Sequence, residues 1–85
     1  MNKKVTIYTT PTCTYCRMSK AFFRENNIAY DEFDVQSDLV KRQEMVDKSG
    51  QLGVPVIVVA DVTTGKEEIV IGFDRPELTR LLINK

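Results

Sequence analysis

The sequence predicts an α/β fold of order β-α-β-α-β-β-α, a four-stranded mixed sheet in strand order 2-1-3-4 flanked by three helices. Three observations predict it. Strand-like and helix-like runs alternate as far as Ser49, the pattern of a βαβ unit with parallel strands and a right-handed crossover. The run Val54-Pro55-Val56-Ile57-Val58-Val59-Ala60 is apolar without alternation and rich in β-branched residues, so it reads as a strand covered on both faces. Thr63-Thr64-Gly65 then separates that run from Glu67–Ile71, as the turn of a hairpin would, and a leucine-striped segment follows.

Lys3 to Tyr8 is expected as the first strand, with Val5 and Ile7 on one face and Thr6 and Tyr8 on the other. Pro11 and its small polar neighbours end it. A helix from about Tyr15 to Asn26 would carry Met18, Ala21 and Phe22 inward, widened by Phe23, and would stop at Asn26-Asn27. Ile28 to Val35 reads as an edge strand, because Tyr30, Asp31, Glu32 and Asp34 suit exposure to solvent. Ser37 or Asp38 can cap a second helix that runs to Ser49, with Gly50 as its stop. Leu39 and Val46 are its expected anchors, helped by Val40 and Met45. Asp61 to Lys66 forms the hairpin turn, and Gly72 ends the returning strand. The last helix begins at Phe73 or Asp74, accepts Pro76 in its first turn, and buries Leu78, Leu81 and Leu82.

A chain of 85 residues is expected to form a single domain, 1–85. Acidic and basic residues balance to zero net charge and are spread along the chain, which excludes a nucleic-acid stripe or a polybasic membrane patch. No window is apolar over the length of a membrane span, and no signal-peptide run follows Met1-Asn2-Lys3-Lys4. The expectation is a soluble cytoplasmic protein, monomeric, with no nucleic-acid or membrane partner.

Both cysteines fall in Cys13-Thr14-Tyr15-Cys16, where a strand hands over to a helix. A disulfide between them would close a tiny loop and is a poor staple, so redox or metal chemistry is the better reading. Thiolate is the reactive form, and the free N–H groups and positive dipole end of a helix N-terminus favour it. Cys13 at that end would attack a substrate disulfide, and Cys16, one turn further in, would resolve the mixed disulfide. Arg17, four residues after Cys13, could add positive charge for activation, whereas Lys20 is further along the helix and is not expected to matter. The chain has no histidine to serve as a base. A closed zinc site needs four ligands, and two cysteines without histidine do not supply it, so no metal site is expected.

Cys-Thr-Tyr-Cys after a first strand, Gly53-Val54-Pro55 before an apolar strand, and Ile71-Gly72 before a last helix occur together. That combination resembles the glutaredoxin family of the thioredoxin fold over essentially the whole chain. It is most similar to small bacterial glutaredoxin-like redoxins, including electron donors to ribonucleotide reductase. The resemblance implies a dithiol–disulfide oxidoreductase with Cys13 as nucleophile and Cys16 as resolving cysteine. It implies that Tyr15 flanks the bound thiol substrate. Pro55 alone reads as an ordinary strand-opening proline; the resemblance implies a cis-proline lying against the disulfide. Val54 would offer its backbone N–H and C=O to a substrate strand. Gly72, Phe73 and Asp74 would lie near the docking site of glutathione's γ-glutamyl end.

The chain departs from the glutathione-using pattern at several positions. Thr10 stands where a lysine is frequent, Gly53 where threonine precedes Val-Pro, Thr14 where proline is common, and Phe73 where a second glycine is usual. The bulk of Phe73 could fill space that the tripeptide needs. Gly72-Phe73 followed by Arg75-Pro76 is instead similar to the ribonucleotide-reductase donors, with Asp74 as an extra residue. The implied partners are disulfide-containing proteins, ribonucleotide reductase among them. Thioredoxin reductase or glutathione would be the electron source, and no cofactor would be tightly bound. The alternative implied by the family is a dimer sharing a [2Fe-2S] cluster through the nucleophilic cysteine and glutathione.

Overall fold

The strand Lys3–Thr9 is paired along both edges, and the rest of the sheet assembles on it. The computed structural model describes residues 3–83. Its elements are β1 (Lys3–Thr9), α1 (Thr14–Glu25), β2 (Tyr30–Asp34), α2 (Leu39–Ser49), β3 (Val56–Asp61), β4 (Glu67–Ile71) and α3 (Arg75–Leu82). The strand order is β2-β1-β3-β4, as expected. β1 runs parallel to β2 with Val5 opposite Tyr30. It runs antiparallel to β3 with Ile7 opposite Ile57, and β3 pairs antiparallel with β4. This is a thioredoxin-like fold. Among the described residues no helix is long and apolar enough to cross a membrane.

Alternation along β1 and β3 divides the core in two. Val5, Ile7, Ile57 and Val59 point to one face, where Phe22 and Phe23 of α1 and Leu78, Leu81 and Leu82 of α3 cover them. Tyr8, Val56 and Val58 point to the other and meet Val35 and Met45. The double covering of β3 follows from its unbroken apolar run. The ladder begins at Val56, two residues later than expected, because Pro55 has no N–H to give it.

Two helix faces differ from expectation. In α1 the buried residues are Cys16, Ser19, Phe22 and Phe23, while Met18 is 43% exposed. The inward stripe is thus rotated by one position from Met18, and Ala21 is only half-buried. Ser19 can be buried because its hydroxyl donates to the Tyr15 carbonyl oxygen at 2.9 Å. In α2 the expected anchor Leu39 and its helper Val40 are 66% and 78% exposed, whereas Val46 packs partly buried on the second core, as expected, and Met45 is fully buried. The Asp38 carboxylate caps α2 by accepting from the Lys41 N–H at 3.1 Å, which leaves Leu39 and Val40 in the first turn, facing solvent.

Charged side chains seat the rest of α2. Lys41 Nζ lies 4.3 Å from the centre of the Phe33 ring, a cation–π contact. Lys48 Nζ lies 2.8 Å from Glu67 Oε2. The Glu44 carboxylate accepts a hydrogen bond from the Tyr8 hydroxyl. Burial first, and then that bond, raise the Tyr8 hydroxyl pKa. The same bond is the main reason the Glu44 carboxyl titrates below its ordinary 4.5.

Glu44 therefore adds stability above about pH 4.5, and that share is lost as pH falls through its lower folded-state value. Tyr8→Phe is expected to cost about 1 kcal/mol at neutral pH, since Glu44 remains partly solvated. Urea unfolding of both proteins should show the gap narrowing in acid. A gap that stays constant down to about pH 3 would remove Glu44 as its source.

Candidate active site

β1 ends at Thr9, and the loop that follows delivers Cys13 to the N-cap of α1. Its backbone there is extended, with φ −85° and ψ 112°. The Cys13 Sγ accepts the N–H of Cys16 at 3.1 Å, the place a serine or aspartate oxygen takes in most helix caps. No acidic residue occupies the first turn to oppose the positive helix end. The two sulfurs are joined in a disulfide, with the Cα atoms 5.2 Å apart. Cys13 is half-buried, whereas Cys16 is 1% exposed and belongs to the inward stripe of α1.

The sheet register brings the second motif to the same end. Tyr8 lies opposite Val56, and Val56 opposite Ile71. Pro55 and Gly72 therefore sit just beyond the ladder, at the end where the cysteine loop leaves β1. The Val54–Pro55 bond is cis, as the resemblance implies, and Pro55 is buried. Gly72, at φ +77°, turns its N–H to the Pro55 carbonyl oxygen at 2.9 Å. That backbone conformation favours glycine. Val54 is half-buried against the second core, and its N–H and C=O have no backbone partner among the described residues.

Tyr15, 61% exposed, shares one groove with Ile71, Gly72, Phe73, Asp74 and Arg75. Phe73 is half-buried. Its ring packs on the first core, edge-on to Phe22 with centroids 6.1 Å apart. The Asp74 carboxylate caps α3, accepting the Glu77 N–H at 3.2 Å. Arg17 extends back over the loop and donates to the Pro11 carbonyl oxygen at 3.4 Å.

Arg17 also lines a second cavity, shared with Cys13, Cys16, Lys20, Glu32 and Asp34. Sequence reasoning discounted Lys20 and treated Glu32 as an ordinary edge-strand charge. The signal for Lys20 was its place four residues after Cys16, on the same helix face. No comparable signal pointed to Glu32. Among the described residues, no three or more cysteine or carboxylate side chains gather into a metal site.

A thioredoxin-like fold that sets a Cys-x-x-Cys disulfide at the start of its first helix defines a thiol–disulfide oxidoreductase. Comparison with known proteins specifies the class. The family model described as glutaredoxin matches residues 5–63, and the chain belongs to the glutaredoxin family. It is 35% identical over 78 residues to a glutaredoxin-like protein of the rubredoxin operon of Clostridium pasteurianum, covering 92% of this chain and 96% of that one. It is 36% identical over 55 residues to glutaredoxin 3 of Escherichia coli strain K12, covering 65% of this chain and 66% of that one. The crystal structure of the thioredoxin-like protein BC3987 superimposes with a TM-score of 0.80 at 35% identity, covering 93% of this chain and all of that one.

Proposed function

We propose that this glutaredoxin reduces disulfides in other proteins by dithiol exchange, as a monomer in a reducing cytoplasm. The observation that carries the proposal is the Cys13 sulfur at the helix cap, bonded to the Cys16 N–H, with Cys16 buried beneath it. Cys13 thiolate attacks a substrate disulfide. One substrate thiolate leaves, and a mixed disulfide forms. Cys16 gives up its proton and attacks Cys13, the second substrate thiolate leaves, and the Cys13–Cys16 disulfide remains. An outside dithiol or two small thiols return two electrons and two protons to reset the pair.

The unpartnered backbone of Val54 supports docking of an extended substrate segment beside Cys13, with Tyr15 and the Gly72–Asp74 turn flanking the substrate sulfur. Ribonucleotide reductase is one candidate substrate. Thioredoxin reductase or glutathione recharges the pair, and the departures at Thr10 and Phe73 favour the reductase. A coupled NADPH assay with two arms decides this: one arm supplies thioredoxin reductase, the other glutathione with its reductase. Turnover is expected in the first arm, and turnover confined to the second would make glutathione the electron source. Visible absorbance after anaerobic purification would instead support the shared [2Fe-2S] cluster.

Cys16→Ser is expected to stop the cycle halfway and accumulate a mixed disulfide between Cys13 and substrate. Intact-mass measurement reads the adduct. A variant that releases free substrate at the wild-type rate would remove Cys16 from the resolving role.

A further inference from the structure

Resolution asks Cys16, 1% exposed, to shed a proton in a chain without histidine. The cavity of about 240 Å³ lined by both cysteines is large enough to admit several waters, at roughly 30 Å³ each. Two carboxylates line it, Glu32 and Asp34. Asp34 Oδ1 is engaged by the Gln36 N–H at 2.9 Å. Glu32 is held differently. Its Oε2 accepts the hydroxyl of buried Thr9 at 2.9 Å and the Lys20 ammonium at 2.8 Å. Its Oε1 has no hydrogen-bond partner among the described residues.

We infer that Glu32, fixed by Thr9 and Lys20, accepts the Cys16 proton through water in this cavity as Cys16 attacks the mixed disulfide. The inference rests on Cys16 being the resolving cysteine. The step balances. The S–H proton of Cys16 passes to Glu32, a Cys16–Cys13 S–S bond forms, and the S–S bond between Cys13 and substrate breaks. The departing sulfur carries away the electron pair. The Glu32 proton then leaves to solvent, and it returns to Cys16 by the same route when the pair is reduced.

Lys20 makes the transfer easier than the two acidities alone would allow. Before transfer its charge is paired with Glu32; as the proton moves, the same ammonium lies in the cavity that Cys16 lines and favours negative charge developing on that sulfur. The bond from Lys20 is the chief reason the Glu32 carboxyl titrates below its ordinary range, which keeps it ionised at neutral pH. The charged groups facing Glu32 are Lys20 and Arg17 from α1 and Asp34 from its own strand; β1 contributes only the Thr9 hydroxyl. Thr9 and Lys20 are positioning residues.

The test uses the reduced full chain and excess dithiobis(nitrobenzoate). Attack by Cys13 releases a first thionitrobenzoate, and attack by Cys16 releases a second. Glu32→Gln keeps the size of an exposed side chain and should fold. It is expected to slow the second release at least about tenfold at neutral pH and leave the first unchanged. With the carboxylate, the second release should be nearly level from about pH 6 to 8; without it, the rate should climb about tenfold per unit toward the thiol range. Glu32→Asp should recover part of the rate. An unchanged second release and pH profile in Glu32→Gln would overturn the inference, as would equal slowing of both releases. If the wild-type protein released only the first equivalent, the resolving role of Cys16 would fail, and this inference with it.

Discussion

Replacing Cys13 with serine is expected to reduce protein disulfide reduction to background, a loss of about a thousandfold or more. A serine oxygen is scarcely ionised at neutral pH and cannot form the S–S bond that the exchange passes through. The fold should survive, because serine is among the best N-cap residues and its Oγ can accept the Cys16 N–H that Sγ now accepts. Unfolding of the variant and of reduced wild-type protein should therefore agree within about 1 kcal/mol. Insulin reduction read by turbidity, beside a urea melt, separates the two effects. Turnover near wild type would show that the nucleophile is not Cys13.

Phe23→Ala should have the largest effect on stability. The side chain is fully buried, and its ring lies 5.3 Å from Tyr30 and 6.1 Å from Phe22, centroid to centroid. It ties the helix that carries both cysteines to the edge strand β2. Truncation removes most of its apolar area and leaves a void, at a cost of about 3–5 kcal/mol. That is a large part of the roughly 5–15 kcal/mol that holds a domain together. Met18→Ala, on the exposed side of the same helix, should cost no more than about 0.5 kcal/mol. Urea midpoints of the two variants distinguish the inward stripe found here from one centred on Met18. A loss below about 1 kcal/mol for Phe23→Ala would contradict the packing described.

Legibility in the sequence followed how directly each residue's chemistry reports its surroundings. β3 was readable because nothing but a two-sided cover accommodates Val56-Ile57-Val58-Val59. α3 was readable because Pro76 suits a first helical turn and three leucines form one stripe, and the structure settles its start, left between Phe73 and Asp74, with Asp74 as the cap. The face of α1 was misread because burial was sought among apolar residues, while Ser19 and Cys16 occupy the stripe that Met18 was expected to share. The seating of α2 was half hidden for a related reason: beside the expected Met45 and Val46, lysine stems and a glutamate cover the sheet, while Leu39 and Val40 face solvent. The cysteine pair announced itself by spacing. The Thr9–Glu32–Lys20 group did not, since it draws one residue from each of three elements and exists only once they pack.

The two sides of the sheet are held by different forces. α1 and α3 are fastened by aromatic and leucine side chains, whose attraction dissolved ions do not screen. α2 rests on Met45, a partly buried Val46 and a set of charges that electrolytes weaken. Ionic strength can therefore loosen one layer while the other, with the redox pair embedded in it, stays rigid.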